Sequence, residues 1–379
     1  MNEIANARVE PGCVEEVKGI LDGLNVASVF LVVDREAYEA SGTREVLEPQ
    51  LASYDVVVFD NFVANPKYQD VTRGVELFWE NPCDVVMAVG GGSAIDMGKL
   101  IGFSAAQPAA PVVVMTNLAQ IRYRPKPFIA IPTTAGTGSE ATHFAVVYVD
   151  GRKYSVAHEW ILPSYAFVDP ELMANLPPSI TAHTGLDALC QAMESVWSVN
   201  STDVSLSYAR EALDLVCNHL VNAVNAPTPG ARWAMCRAAH LAGKAINIGK
   251  TTAPHALSYV MTSQFGVPHG LAVALTLGAM MVYNDGVEDE DVCDERGVGF
   301  VRTRIRELCE ILGVDDAEGA RVWLDDLMGQ TGCPTRLSEV GMTVGDVEGI
   351  VENVNVERLA NNPRRLTPEG IRNILQGLL

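Results

Sequence analysis

Apolar residues gather in short continuous runs through the first part of the chain. VASVFLVVD (26–34), SYDVVVFDNF (53–62), CDVVMAVGGG (83–92) and PFIAIPTT (127–134) read as buried strands. Between them, TREVLEPQLASY and YQDVTRGVELFWEN carry apolar positions at helical spacing. This β-α-β rhythm predicts a parallel, doubly wound sheet. AVVYVDGRKYSVAH (145–158) differs, because polar and apolar positions alternate on both sides of Asp150-Gly151. That pattern predicts a hairpin. The composition changes near DPELMANLPPSITA (169–182), where Pro177-Pro178 and a serine cap mark a linker. Beyond it the spacing is helical over 184–198, 203–225, 230–247, 253–263, 269–283, 298–312 and 317–329, and again after Thr367.

The chain has 379 residues, enough for two domains with full cores. No apolar run reaches the roughly 18 residues that span a bilayer. The first residues, MNEIANARVEPG, lack the basic and apolar regions of a signal peptide, so a cytoplasmic protein is expected. A net charge of −20 argues against nucleic acid and anionic membranes as partners. It also means that an anionic substrate needs a local basic pocket working against the global field. The eight cysteines form no CxxC pair and read as small buried hydrophobes in a reducing compartment. DGVEDEDVCDERG (285–297) reads as a solvated acidic loop.

Two loops suit a dinucleotide. AVGGGSAIDMGKLIGF (88–103) is a strand, a glycine turn and a helix. Gly90, Gly91 and Gly92 permit positive φ and close approach of backbone N–H groups to a pyrophosphate. Ser93 is a candidate N-cap, with Asp96 completing a pattern like a capping box. The pattern is not GxGxxG, and an ordinary tight turn is the alternative. IPTTAGTGSE (131–140) offers Thr133, Thr134, Thr137 and Ser139 as donors, with Gly136 and Gly138 allowing close approach. Asp34 ends the first strand, where an acid either receives an adenosine ribose hydroxyl, favouring NAD over NADP, or is simply solvated. Arg35, next to it, would do the opposite by accepting a 2′-phosphate.

The second half holds a set of possible metal ligands. Asp187 and Gln191 lie four apart in GLDALCQAME, on one helical face. His255 and His269 lie in TTAPHALSYVMTSQFGVPHGL. A carboxylate, a carboxamide and two imidazoles are a plausible set of ligands for one divalent ion. Taken singly, each has a plainer reading: His255 as a satisfied core histidine, His269 as a helix-start residue, Asp187 as a buried acid. Cys190, His158, His183, His219 and His240 are assigned to structure.

Together, GGGSAIDMGK, IPTTAGTGSE, TGLDAL and the H-x13-H pair ending in PHG resemble the iron-dependent (group III) alcohol dehydrogenase family, in order, from about residue 20 to 375. The resemblance implies an α/β N-terminal Rossmann-like domain (1–178) and an all-α C-terminal helical domain (179–379), the dehydroquinate synthase-like fold. It places the active site in the cleft between them and implies a homodimer. It implies that Gly90, Gly91, Gly92 and Ser93 hold the pyrophosphate, and that Thr133, Thr134 and Lys153 contact the cofactor. It further implies that Asp34 meets the ribose, and that Asp187, His255 and His269 hold Fe2+ or Zn2+. Two positions depart from the family pattern. Gln191 stands where a ligating histidine is usual. Tyr259 stands where a second histidine, a proton relay, is frequent. Within the family, GTGSEATHFAVVYVDGRKYSVAH and TGLDALCQAMESVWS most resemble the phosphonoacetaldehyde reductases, which carry glutamine at the same point.

The expected chemistry is reduction of a small aldehyde, possible substrates including one bearing a phosphonate, by NAD(P)H. A divalent ion polarises the carbonyl as a Lewis acid. Tyr259 and His255 are the candidate catalytic side chains, with water or the cofactor ribose as other proton sources. Gln191 either completes the ligand shell or orients a water. His143, Arg152, Lys153, Arg364 and Arg365 are candidates to meet an anionic group, whereas Arg122, Arg124 and Lys126 in RYRPKP read first as a solvated loop. Two alternatives stand: a sugar-phosphate cyclase of the dehydroquinate synthase type, and a nucleotide-binding relative without catalysis.

Overall fold

The computed structural model describes residues 4, 6–150, 152–354 and 356–379, the last range without the side chains of residues 356 and 357. The chain separates into two compact units, Met1–Leu176 and Pro177–Leu379.

The first unit is built on strands β1 (Ala7–Arg8), β2 (Ser28–Val33), β3 (Asp55–Phe59), β4 (Val85–Gly90), β5 (Phe128–Pro132) and β8 (Tyr165–Phe167). They form one six-stranded sheet in the order β1-β8-β5-β4-β2-β3, with every pairing parallel. Its helices are α1 (Val17–Leu24), α2 (Arg35–Ala40), α3 (Thr43–Leu51), α4 (Tyr68–Glu80), α5 (Gly92–Ala105) and α6 (Pro111–Thr116). The apolar runs of β2, β4 and β5 are continuous because both faces of the sheet are covered there, whereas edge strand β3 leaves Val56 and Val58 exposed. Val29, Leu31 and Val33 enter one core with Val17, Leu21 and Leu47. Phe30 and Val32 enter the other with Val71, Val75 and Ile101. The period of two in β2 therefore splits a uniformly apolar segment between two cores.

Strands β6 (Phe144–Val149) and β7 (Arg152–Ala157) form a separate antiparallel pair. Gly151 of the predicted turn lies outside the described residues, but the flanking strands pair as the alternation predicts. Lys99 anchors this pair to α5. Its buried ammonium donates to the carbonyls of Ser139 (2.6 Å), Thr142 (2.9 Å) and Phe144 (2.9 Å) and to the Ser139 and Thr142 hydroxyls. Burial lowers its pKa to about 8, partly countered by Asp96 and Glu140, so it remains charged at neutral pH. Asp96, one turn earlier on α5, accepts from Ser139 Oγ and from Val146 N at 2.8 Å.

The second unit contains helices α7 (Pro178–Trp197), α8 (Asp203–Asn225), α9 (Pro229–Gly249), α10 (Ala253–Phe265) and α11 (His269–Asp285). It continues with α12 (Val298–Leu312), α13 (Ala317–Gln330), α14 (Val344–Asn353), α15 (Val356–Leu359) and α16 (Pro368–Gln376). Helices α7, α8 and α9 pack on one another, α11 packs on α7, and α10 packs on α11. Among the described residues, no helix is long and apolar enough to cross a membrane.

Several expectations are corrected. The division between the units falls at Leu176/Pro177, beside the expected linker, but Pro178 is already the first residue of α7, a position where the absent N–H costs nothing, and the helix starts six residues before the predicted 184. Ser179 lies inside that helix and caps nothing. Ser93 is not an N-cap, since α5 begins at Gly92 with Gly91 in the cap position. The Ser93 hydroxyl instead accepts from Asn65 N at 3.1 Å. The acidic segment 285–297 is more than solvated surface. Asp294 is buried and pairs with Arg296, Asp291 pairs with Arg364, and Val292 bridges to Arg364. Six cysteines are buried as expected, but Cys217 is half-buried and Cys293 is exposed.

Replacing Lys99 with methionine removes the cation near the half-buried Asp96 and leaves the carbonyls of Ser139, Thr142 and Phe144 without their common donor. An acceptor left buried and unsatisfied costs about 1–3 kcal/mol. Urea unfolding of K99M is expected to show a loss of about 3 kcal/mol or more; a loss below about 1 kcal/mol would mean that neither the charge nor the carbonyl contacts of Lys99 fix this corner.

Candidate functional site

In the first unit the two predicted loops lie against each other. Gly90 has φ +144°, and a Cβ there would stand 2.7 Å from Ala94 Cβ and 3.1 Å from Asp34 Cβ. Gly91 and Gly92 do not take positive φ, contrary to expectation. Gly92 is glycine for a different reason: a Cβ would stand 2.6 Å from Thr137 Cγ2. Gly91 faces Thr134 Oγ1, and Thr133 N donates to Gly90 O at 3.0 Å. Asp34 caps α2 through Ala37 N at 3.2 Å and sits beside Gly90. Arg35 is committed to an ion pair with Asp60.

This arrangement fits a dinucleotide on three counts. Helix α5 starts with no side-chain cap and no acidic residue in its first turn, so its partial positive charge is available to an anion. The glycines remove side chains from that end. Thr133 Oγ1 is buried and makes no hydrogen bond. Lys153 lies on β7 opposite Tyr148 and acts electrostatically on Asp96.

In the second unit, Asp187, His255 and His269 offer ligand atoms that all lie within 4.8 Å of one another. His255 Nε2 is 3.4 Å from Asp187 Oδ1, and that buried oxygen accepts no hydrogen bond. Two ligand atoms about 2.1 Å from a tetrahedral ion are themselves about 3.4 Å apart, so the spacing suits a cation between them. Gln191, one turn after Asp187 on α7, is buried and helps hold the Asp187 carboxyl below its usual pKa.

Glu194 completes the arrangement. It is fully buried on α7 and accepts from Thr252 N (2.6 Å), Thr252 Oγ1 (2.8 Å) and His255 Nδ1. Trp197 Nε1 donates to Thr252 Oγ1 at 2.9 Å. The carboxylate thus anchors the start of α10 and accepts the Nδ1–H of His255, which turns Nε2 toward Asp187, where it holds a proton or, with a cation bound, would present its lone pair. Burial alone would lower the His255 pKa, but Glu194 and Asp187 outweigh it and raise it to about 9. Burial likewise works to raise the Asp187 carboxyl, yet His255 and His269 bring it below its usual value. Each charge is held by the other, as in a site where a proton or a metal cation occupies the same place.

Gly270 lets α11 reach α7. A Cβ at this position would stand 1.9 Å from His183 O and 2.9 Å from Asp187 Cβ. His269, the preceding residue, is delivered to the carboxylate by that close approach. Its Nδ1 lies 3.4 Å from Ser258 Oγ, and its ring meets that of His255 edge-on with centroids 5.4 Å apart. Tyr259, one turn after His255, stacks on His269 with centroids 6.1 Å apart. Burial raises the Tyr259 pKa, so the phenol keeps its proton at neutral pH.

The other candidates stand elsewhere. Arg364 is paired with Asp291 and donates to Tyr283 O, and the backbone N of Arg365 donates to Asp291 O. Arg152 is exposed on β7. His143 precedes β6 with its ring edge-on to Phe144. Arg122 donates to nearby carbonyls and Lys126 faces Asp84, as a surface loop would. Glu194 was missed in the sequence although it lies in the quoted ESVWS segment. Its signal was an acid seven residues after Asp187, two turns along the same helix.

Residues 5–170 match the family model for iron-containing alcohol dehydrogenase, and residues 181–379 match that for the C-terminal part of the Fe-containing alcohol dehydrogenase family. An NAD-dependent methanol dehydrogenase of Bacillus methanolicus is 30% identical, covering 97% of this chain and 96% of that protein. A phosphonoacetaldehyde reductase of Streptomyces viridochromogenes is 36% identical, covering 77% and 75%. The structure of sulfoacetaldehyde reductase from Bifidobacterium kashiwanohense in complex with NAD+ superposes with a TM-score of 0.88 at 30% identity, covering 100% and 97%. The chain belongs to the iron-containing alcohol dehydrogenase family. It is an oxidoreductase of the alcohol dehydrogenase and aldehyde reductase type, using a nicotinamide cofactor and a divalent metal ion. That membership favours the oxidoreductase over the cyclase and the non-catalytic relative.

Two outcomes are expected. E194Q removes the charge that orients His255 and should weaken metal binding about 10- to 100-fold, measured by competition with a chelator on folded protein. G270A forces α11 away from α7. It should lower stability by about 3 kcal/mol and abolish stoichiometric metal content together; metal retained at full occupancy would show that His269 does not depend on this approach.

Proposed function

We propose that the protein reduces a short aldehyde carrying a tetrahedral oxyanion, with phosphonoacetaldehyde going to 2-hydroxyethylphosphonate as the leading case. Support comes from the 36% identity to a phosphonoacetaldehyde reductase and from the fold shared with a sulfoacetaldehyde reductase. The observation that carries the chemistry is the triad of buried Asp187 and His255 with half-buried His269, whose ligand atoms converge and whose carboxylate oxygen accepts no hydrogen bond.

Asp187, His255 and His269 hold the ion, and Gln191 either joins them or orients a water through its carboxamide. Gly90, Gly91, Gly92, Ser93 and the N-terminus of α5 hold the pyrophosphate. Asp34 receives the adenosine ribose, and Thr133, Thr134, Thr137 and Lys153 contact the cofactor. When bound, the ion supplies Lewis-acid polarisation of the carbonyl and the nicotinamide supplies a hydride. Tyr259 stays protonated and stands against His269, so it can donate a proton to the oxygen that gains charge. The balance is aldehyde plus reduced nicotinamide plus one proton, giving alcohol plus oxidised nicotinamide. Glu194 keeps the His255 tautomer constant throughout.

A panel of two- and three-carbon aldehydes, with and without phosphonate or carboxylate, assayed with NADH and NADPH, tests this reading. The phosphonate-bearing aldehyde is expected to give the highest kcat/KM, and chelation followed by metal restoration should abolish and then recover turnover. Equal kcat/KM for an uncharged aldehyde of the same size would sink the anionic-substrate proposal.

A further inference from the structure

An oxyanion that approaches the triad meets the buried carboxylates of Asp187 and Glu194, in a chain whose net charge is −20. Both oppose it, so its recognition requires a nearby cation. Several basic groups of the second unit are already engaged. Arg364 pairs with Asp291, Arg296 pairs with Asp294, and the Lys244 ammonium lies 4.0 Å from the centre of the Tyr208 ring.

Lys250 is different. It joins α9 to α10 with φ 61° and ψ 169°. The other described non-glycine residues at positive φ are Asn25, Asn65 and Asp150, types that tolerate the left-handed region. Lysine tolerates it poorly, and this ψ lies beyond it, where only glycine is routinely found. Contacts on both sides hold the conformation. Before it, Lys250 N donates to Ile246 O at 2.9 Å, and Gly249 O accepts from the hydroxyl of Ser198, which ends α7. After it, Thr251 O accepts from Asn361 Nδ2 at 2.9 Å, and Thr252 N donates to Glu194 at 2.6 Å. Residue 250 must complete the turn between these fixed points. Glycine would do so without strain, so the side chain carried here needs a reason of its own.

That side chain is exposed, and its ammonium makes no ion pair or hydrogen bond among the described residues. It stands two residues before Thr252, whose N–H and hydroxyl hold Glu194, and Glu194 in turn holds His255. Two residues of chain span at most about 7 Å, and lysine adds a flexible four-carbon stem. An unspent charge is therefore tethered to the turn that sets the start of α10.

We propose that Lys250 is a specificity-determining residue: its ammonium receives the tetrahedral oxyanion of the substrate, and the strained backbone fixes where that charge emerges. This rests on the reading of the enzyme as a reductase of anionic aldehydes.

The test compares wild type, K250A, K250G, K250Q and K250R, each loaded with metal and cofactor. In urea, K250G should unfold at a higher midpoint than K250A, since glycine takes this conformation freely. A midpoint no higher would remove the strain, and with it the reason to single out this side chain. Turnover is followed with phosphonoacetaldehyde and with 3,3-dimethylbutanal, in which a tert-butyl group replaces the oxyanion. The ratio of their kcat/KM values is expected to fall about 10- to 100-fold in K250Q and K250G, chiefly through KM, because a hydrogen bond between charged groups is lost. K250R should keep most of the ratio, since it retains the charge; a fall as large as in K250Q would overturn the role of that charge. Isothermal titration of 2-hydroxyethylphosphonate into protein holding metal and reduced cofactor reads binding without turnover, and K250Q should weaken it by a similar factor. An unchanged ratio or an unchanged product affinity in K250Q would overturn the inference. Should K250Q not fold, K250G removes the same charge without the strain. A wild-type ratio near one would instead remove the anionic-aldehyde reading itself.

Discussion

A carboxylate with no exposure to water governs the second unit. Glu194 would be costly to bury unless its oxygens were satisfied, and they are met by Thr252 N, Thr252 Oγ1 and His255 Nδ1. The three donors belong to the start of α10, so one interaction fixes where that helix begins and which nitrogen of His255 is presented. Asp187 lies seven residues earlier on α7, about 10 Å along the axis. On the proposed reading, a single helix thus carries both a ligand and the group that orients another ligand. The third ligand depends on packing rather than charge: α11 reaches α7 only because Gly270 has no side chain.

The first unit solves a related problem with neutral groups. An anion-binding helix end must remain open, yet the loops around it must not collapse. The absent side chains at Gly90 and Gly92 allow the two loops to touch, and Lys99 holds the second loop by its carbonyl oxygens. The partial charge at the start of α5 then operates locally within a protein whose overall charge is strongly negative. Local preorganisation, rather than net charge, decides what binds at such a place.

Much of this was legible in the chain. The apolar runs predicted strands β2 to β5, since β2, β4 and β5 are buried on both faces and need no alternation, and the helical spacing predicted most of the second unit. Short β1 and β8 escaped notice, as two- and three-residue strands have no period to detect. The helix start at Pro178 was misplaced because a Pro-Pro pair reads equally as a break and as a first turn. Ser93 was misread for a similar reason: a serine after glycine signals a cap, but the backbone turned one residue earlier and Asn65 N took the hydroxyl.

By itself the sequence determined which residue types were present for the chemistry and the order in which they came: a glycine turn, a threonine-rich loop, an acid and two histidines. Local periodicity set their helices and strands, since those depend on neighbours three or four residues away. The tertiary structure alone decided that Glu194 would hold His255 across 61 residues and that Arg364 would be spent on Asp291. Such pairings arise when helices distant in sequence pack closely enough for buried charges to require partners, and no local pattern encodes that distance.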